Sequence, residues 1–195
     1  MTDHEDITRM KSNLRLKGRA TRRAMTPELR QAAAEAVAQV VLGLPELRDA
    51  HAVGAYGAMP EEVDADPLIQ ELWSRGVRVA LPRVVDKLHI SWHWYECGYS
   101  LCRGAFGLRE PCEDAPVASV EEIDAFVVPG VAFDRDCRRL GMGGGYYDRL
   151  IASLPASVPV IGLAYEEQVV ESVPCSDHDQ SVHIVCTPSS VYRRE

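Results

Sequence analysis

Ile123-Asp124-Ala125-Phe126-Val127-Val128 and, a short connection later, Arg139-Leu140-Gly141-Met142-Gly143-Gly144-Gly145-Tyr146-Tyr147-Asp148-Arg149 together decide how this chain folds. The first stretch is an apolar run closed by Pro129-Gly130, the pattern of a buried strand. The second packs four glycines into five positions ahead of an amphipathic segment, so a loop must deliver the chain into a helix. Strand, glycine loop and helix in that order form an α/β unit. Glycines so dense leave backbone amides bare and free to take positive φ, and the positive end of the following helix adds to them, which suits the loop to an anion such as phosphate. Two common nucleotide signatures are excluded by spacing. A Walker loop needs Lys-Ser/Thr after its last glycine, where Tyr146-Tyr147 stand, and a dinucleotide fingerprint anchored on Gly141 and Gly143 would need its third glycine at Tyr146.

Outward from this unit the same alternation continues. Residues 5–24 and 28–42 read as helices, joined by Thr26-Pro27-Glu28, an N-cap followed by proline at the first helical position. Strands are expected near 51–57, 77–81, 88–95, 123–128, 158–163 and 182–187, and helices at 65–75, 144–154 and 166–171. The pattern predicts one α/β domain over residues 1–195, with a mainly parallel sheet flanked by helices and an N-terminal helical arm. Ligands of such sheets sit at the carboxyl ends of the strands. The strands ending at 57, 128 and 163 would therefore open onto one edge.

At 195 residues, 46% hydrophobic and 26% charged, the chain has the composition of a soluble globular protein. No apolar run approaches the length of a membrane span, and the acidic start Met1-Thr2-Asp3-His4-Glu5-Asp6 is unlike a secretory leader, so the cytoplasm is the expected compartment. None of the six cysteines (97, 102, 112, 137, 175 and 186) forms a C-x-x-C pair, and all six are read as reduced thiols. His89 and His93 alternate with Ile90, Trp92 and Trp94, the mark of a strand whose histidines lie on a solvated face rather than on a metal. The net charge of −8 is uneven: residues 1–30 carry eight basic against four acidic residues, +4, and the rest carries −12. A basic arm on an acidic body argues against nucleic acid as a partner and for a small polyanion. Lys11, Arg15 and Arg19 fall on one helical stripe with Arg22 nearby, a solvated face or a phosphate site on this evidence alone.

Val128-Pro129-Gly130-Val131-Ala132-Phe133-Asp134, running on through Arg139-Leu140-Gly141 to Tyr147-Asp148-Arg149, resembles the signature of the 5-formyltetrahydrofolate cyclo-ligase family. Lys11-Ser12-Asn13-Leu14-Arg15 resembles that family's amino-terminal Lys-x-x-Leu-Arg, and Tyr56 to Glu62-Val63 its substrate segment. Leu81-Pro82-Arg83 resembles its mid-chain strand end, and Phe106-Gly107-Leu108-Arg109-Glu110-Pro111 its Gly-x-x-Glu-Pro element. In order and spacing these cover nearly the whole chain. The resemblance implies the fold shared with sugar-phosphate isomerases and coenzyme A transferases and a magnesium-dependent reaction on small molecules; a monomer with neither a nucleic-acid nor a membrane partner is expected. In it, ATP and 5-formyltetrahydrofolate give ADP, phosphate and 5,10-methenyltetrahydrofolate.

Carried over, Lys11, Ser12, Asn13, Leu14 and Arg15 with Arg139, Leu140, Gly141, Met142, Gly143, Gly144, Gly145, Tyr146 and Tyr147 would hold ATP. Gly57, Glu62 and Met142 to Tyr146 would meet the folate, with Lys11, Arg15, Gly143, Gly144, Gly145 and Tyr146 serving the chemistry. Asp148 and Asp179 would hold Mg2+. From the residues alone, Glu62 reads as an exposed acid, Asp148 as a first-turn acid complementing the helix dipole, Asp179 as a turn residue, and one of Tyr146 and Tyr147 as a packing residue. Three positions depart from the family pattern: Met142 where a larger polar or aromatic residue is common, His183 where aspartate is expected, and the Cys97 to Cys102 region, which has no counterpart. A non-catalytic folate- or nucleotide-binding regulator, or a sugar-phosphate or coenzyme A enzyme, would share this fold.

Overall fold

The computed structural model describes residues 3–96, 101–104 and 107–194; Cys97 and Phe106, named above, lie outside them. Two helices, α1 (Asp3–Ala24) and α2 (Pro27–Leu42), precede β1 (Ala52–Gly54), α3 (Asp66–Ser74), β2 (Arg78–Val84) and β3 (Ile90–Tyr95). Short strands β4 (Cys102–Arg103), β5 (Arg109–Glu110) and β6 (Val117–Ala118) follow, then β7 (Ala125–Val128), β8 (Ala132–Asp134), β9 (Arg139–Leu140) and α4 (Tyr146–Ser153). The chain ends through β10 (Val160–Leu163), β11 (Val169–Val170), β12 (Ile184–Cys186) and β13 (Val191–Arg193).

Eight strands form the main sheet in the order β13-β12-β10-β7-β1-β2-β3-β6. The five from β12 to β2 run parallel, and antiparallel strands close both edges. Parallel strands covered on both faces are apolar throughout, and β7 and β10 are buried at every position. Alternate residues then point to opposite layers. Val53, Val79, Ala125, Val127 and Ile161 pack under α2 and α3, while Ala80, Phe126, Val128, Val160 and Val185 pack with Leu150 and Ile151 of α4. α2 starts where expected, with the Thr26 side chain accepting the Leu29 N–H at 3.3 Å and Pro27 behind it.

A second sheet, β11-β8-β9, stands at the carboxyl end of β7. Its anchor is the buried ring of Phe133, against which Gly130 and Gly162 are both pressed; a Cβ on either would lie 2.5 Å from the ring. Asp134, also buried, knits the β8–β9 turn by accepting the N–H groups of Asp136 and Arg138 at 3.1 and 2.9 Å and that of Val173 at 2.9 Å.

Four expectations are corrected. The strand expected over 51–57 pairs only over 52–54, because the chain then leaves the sheet to line a cavity. The helix expected over 166–171 is a single 3-10 turn (Glu166–Gln168) leading into β11. Gln168 donates to the carbonyls of Gly130 and Val131 at 2.8 and 3.1 Å and so draws the segment alongside β8. His93 is buried rather than solvated, because β6 covers β3; its ring meets Ala115 O and Ser91 Oγ at 2.8 Å each. Cys102 and Cys112 form a disulfide, since the β4–β5 hairpin sets Cys102 opposite Glu110 and brings the two Cα atoms to 5.1 Å, which no C-x-x-C rule anticipates. Cys137, Cys175 and Cys186 are free thiols, as read.

Phe133→Ala should cost about 3–5 kcal/mol, since it empties space that two glycines are shaped around. Urea unfolding checks this, with a lowered midpoint at an unchanged slope as the expected result.

Candidate functional site

The glycine loop is held from below by Arg139. This side chain is 2% exposed, donates from Nη1 to Pro129 O at 3.2 Å and pairs through Nη2 with Asp148 Oδ1 at 3.0 Å. It thereby joins the end of β7, β9 and the first turn of α4 around the loop. Within the loop Gly143 has φ 108° and Gly145 φ 68°, left-handed conformations that side chains rarely adopt. Gly145 is the N-cap of α4, and no side chain caps that end, so its first amides are left for another acceptor. Residues 142–144 are exposed. Arg149 fastens the far side of the loop, donating to Gly144 O at 2.8 Å and to Leu88 O at 2.7 Å, and Tyr146 donates to Asp86 O at 2.9 Å.

The loop forms one wall of a cavity of about 440 Å3 at the carboxyl ends of β1, β2 and β7. Tyr56, Gly57, Met59 and Glu62 form the opposite wall, with Leu108, Arg109 and Glu110 at one end and Val84 and Ile90 at the other. Gly57 has to be glycine, because a Cβ would collide with the Arg109 carbonyl oxygen. A wider cleft of about 930 Å3 adjoins this cavity, sharing Met59, Glu62, Leu108 and Arg109 with it.

Glu62 is the acid of the site. It is 9% exposed, accepts the Met59 N–H at 3.0 Å and stands 3.8 Å from Arg22 Nη1. Burial pushes its carboxyl up from the usual range, and the Met59 N–H and Arg22 pull against that shift. Its backbone carbonyl takes the Tyr165 hydroxyl at 2.9 Å. Burial raises the Tyr147 hydroxyl strongly and pushes Tyr165 up to about 12, so both stay protonated donors.

Of the ATP-side residues, Arg15 reaches the loop, donating from Nε to Gly141 O at 2.9 Å. Lys11 is ion-paired with Asp179 and donates to Ser176 Oγ at 2.8 Å, close by but outside the lining of the cavity. Ser12 and Asn13 are exposed, Leu14 packs on Ala132, Leu140 and Val173, and Leu140 itself is buried, so a ligand could meet Leu140 only through its backbone. Gly141, Met142, Gly144, Gly145, Tyr146, Tyr147 and Asp148 line the cavity, as do Gly57 and Glu62. His183 accepts the Val160 N–H at 3.0 Å, so that position serves the sheet. Arg22 and Arg149 were not assigned as site residues from the sequence. Arg22 continues the stripe of Lys11 and Arg15, and Arg149 follows one turn after Gly145.

The carboxylates named for magnesium have a donor set that fits it. Asp148 uses Oδ1 for Arg139 and the Gln180 N–H, and Asp179 uses Oδ2 for Lys11 and Ser176. Each keeps its other oxygen without a hydrogen bond among the described residues. Lys11 and Ser176 hold the Asp179 carboxyl below its usual range against the upward push of burial. No cluster of three or more His, Cys, Asp or Glu exists among the described residues, so phosphate oxygens and water would complete the shell.

Known proteins resemble this chain along nearly its whole length. A model of the 5-formyltetrahydrofolate cyclo-ligase family matches residues 7–188. The 5-formyltetrahydrofolate cyclo-ligase of Escherichia coli K12 is 33% identical over 181 residues, spanning 89% of this chain and 98% of that protein. Its counterpart from Mycolicibacterium smegmatis is 32% identical over 186 residues, spanning 92% and 94%. The NMR structure of Aquifex aeolicus 5,10-methenyltetrahydrofolate synthetase superposes with a TM-score of 0.83 at 34% identity, covering 95% of this chain and 93% of that one.

Gly145→Ala should cost about 1–2 kcal/mol for the left-handed backbone alone. It also places a methyl 2.7 Å from Arg149 Nη1. Gly43→Ala, at φ −84° with its nearest contact at 3.5 Å, should instead be neutral or stabilise by about 0.4–1 kcal/mol. Melting curves of the two variants read the contrast.

Proposed function

The chain belongs to the 5-formyltetrahydrofolate cyclo-ligase family, and from this premise we propose how its cavity divides the work. The activity is ATP-dependent closure of 5-formyltetrahydrofolate to 5,10-methenyltetrahydrofolate. The observation that carries the assignment of residues is the meeting, across one cavity, of an amide-rich glycine loop and the buried acid Glu62.

A formyl oxygen is a poor leaving group until it is phosphorylated. In the proposed sequence that oxygen attacks the γ-phosphorus of ATP and ADP departs; folate N10 then adds to the activated carbon, and inorganic phosphate leaves with the carbon–oxygen bond broken and the N10 proton lost, which closes the methenyl bridge. Phosphoryl transfer asks chiefly for positioning and charge neutralisation. Gly143, Gly144, Gly145 and Tyr146 offer backbone amides at the positive end of α4, and Arg15 stands behind them. A phosphate chain gives Lys11 an anionic partner besides Asp179. Asp148 and Asp179 would hold Mg2+, which when bound neutralises charge on the phosphates. Glu62 and Gly57 receive the pterin, with Glu62 accepting from its N–H edge. Met142 and Tyr146, on the loop, face both ligands, which must meet for the transfer. Arg139, which lines the cavity while bonding Pro129 O and Asp148, both fixes the loop and faces ATP, and Leu140 meets ATP through its backbone.

We further propose that residues 1–195 form one domain that works as a monomer in the cytoplasm. The single main sheet supports the first point. The free Cys137, Cys175 and Cys186 support a reducing compartment, to which the Cys102–Cys112 bond is the exception. No helix among the described residues is long and apolar enough to cross a membrane.

The direct test is the absorbance of methenyltetrahydrofolate formed from 5-formyltetrahydrofolate with and without ATP; an ATP-dependent rise is expected, and its absence overturns the assignment. Lys11→Ala and Arg15→Ala should each raise the KM for ATP about tenfold to a hundredfold while changing the folate KM little, as loss of a charge-assisted contact worth about 1.5–3 kcal/mol requires. Asp148→Asn should raise the magnesium concentration needed for half-maximal rate. A titration curve that superimposes on wild type would leave Asp148 only its structural bond to Arg139.

A further inference from the structure

Arg22 is a fully buried charge on α1 that the reaction, as described, does not use. Its Nη1 lies 3.4 Å from Gly130 O and 3.8 Å from Glu62 Oε1, and its Nε and Nη2 have no hydrogen-bond partner among the described residues. As a stability device this is poor. A long ion pair with two unsatisfied donors recovers little of the cost of burying a guanidinium, and an apolar side chain of similar volume would fill the place more favourably.

What distinguishes Arg22 is its position on the helix. At 100° per residue, Lys11, Arg15 and Arg22 lie within about 40° of one another on α1, and Lys11 and Arg22 are about 16 Å apart along its axis. Lys11 is tied to Asp179 and Ser176, Arg15 to Gly141 O, and Arg22 to Gly130 O and Glu62. Between them Gly18 rests directly on Val131, where a Cβ would meet both the side chain and the carbonyl oxygen at 2.8 Å, so the helix is seated without an intervening side chain. The same straight element touches both walls of the cavity.

We infer that Arg22 is a positioning residue: from the helix that carries Lys11 and Arg15 it braces Glu62, so that one rigid element sets the pterin end and the phosphate end of the cavity relative to each other. This rests on the reading of Glu62 as the pterin acceptor. The groups facing Glu62 are Arg22 from α1, the Met59 N–H, the neighbouring Glu61, which is itself paired with Arg23, and the hydroxyls of Tyr56, Tyr147 and Tyr165. Burial and Glu61 push the Glu62 carboxyl up, while Arg22 and the Met59 N–H oppose them. The sign follows. Without Arg22 the carboxyl takes up its proton at a higher pH, and folate affinity that needs the ionised form is lost earlier as pH falls.

The test uses the full chain as wild type, Arg22→Met, Arg22→Lys, Glu62→Gln and the double variant Arg22→Met/Glu62→Gln, with KM for folate and for ATP measured across pH. Arg22→Met should raise the folate KM about tenfold at neutral pH, move the ATP KM less, and shift the acid-side loss of folate affinity upward. Arg22→Lys should recover part of each effect. The double variant should be no worse for folate than Glu62→Gln alone, because the brace has nothing left to hold. If Glu62→Gln weakens folate while Arg22→Met leaves the folate KM and its pH profile unchanged, or if the two losses multiply in the double variant, the positioning role is overturned and the Glu62 reading stands. If Glu62→Gln itself leaves the folate KM unchanged, the Glu62 reading falls and takes this inference with it. Should Arg22→Met fail to fold by circular dichroism, Arg22→Lys decides: an unchanged folate KM and pH profile overturns the inference.

Discussion

The ion pair between the buried Arg139 and the half-buried Asp148 is the interaction on which the site depends. A loop with four glycines in five residues has no side chains of its own to hold it, and its left-handed positions at Gly143 and Gly145 are entropically expensive to fix. Arg139 supplies the order from beneath. One guanidinium reaches the carbonyl at the end of β7 and the first-turn acid of α4, and the same Asp148 oxygen takes the Gln180 N–H at 3.3 Å, so three separated segments meet under the loop. Removing Asp148 would leave the buried Arg139 guanidinium uncompensated, typically at a cost of about 3–5 kcal/mol.

This bracing allows the loop to stay open above. Arg139 is spent on carbonyl and carboxylate partners below, residues 142–144 stay exposed above it, and further basic side chains reach the loop from a different element. That element is α1, whose basic residues stand out against a body carrying −12. Its charges do not face solvent uniformly: Lys11 and Arg15 are half-buried against the 176–179 segment and the loop, and Arg22 is wholly buried beside Glu62. A helix used in this way contributes geometry as much as charge, since its rise per residue fixes how far apart the two ends of the cavity stand.

The two ends of the cavity are assembled from hairpins. β4 and β5, cross-linked by Cys102 and Cys112, bring Leu108, Arg109 and Glu110 to the cavity, and the absence of a side chain at Gly57 lets them approach. The turn between β2 and β3 is fastened to the glycine loop by Tyr146 and Arg149, whose guanidinium also lies 5.2 Å from the Tyr146 ring.

The sequence determined the α/β class, the parallel centre of the sheet and the location of the glycine loop, because each of these is written in local pattern. Apolar runs bounded by Pro and Gly become buried strands, and clustered glycines become bare amides before a helix. It also placed Glu62, Gly57 and the loop in one functional set through family-like motifs, and the tertiary structure brings them to one cavity. What it did not show was decided by residues far apart in the chain. His93 is buried only because β6 pairs across it, and the 166–171 segment becomes a 3-10 turn leading into the short β11 only because Gln168 finds the carbonyls of Gly130 and Val131. Cys102 and Cys112 bond only because a hairpin faces them, and Arg22 becomes a buried partner of Glu62 only once α1 is seated on Val131. Local pattern fixes which backbone groups a segment can satisfy by itself; the partners of the remaining polar groups are chosen by packing.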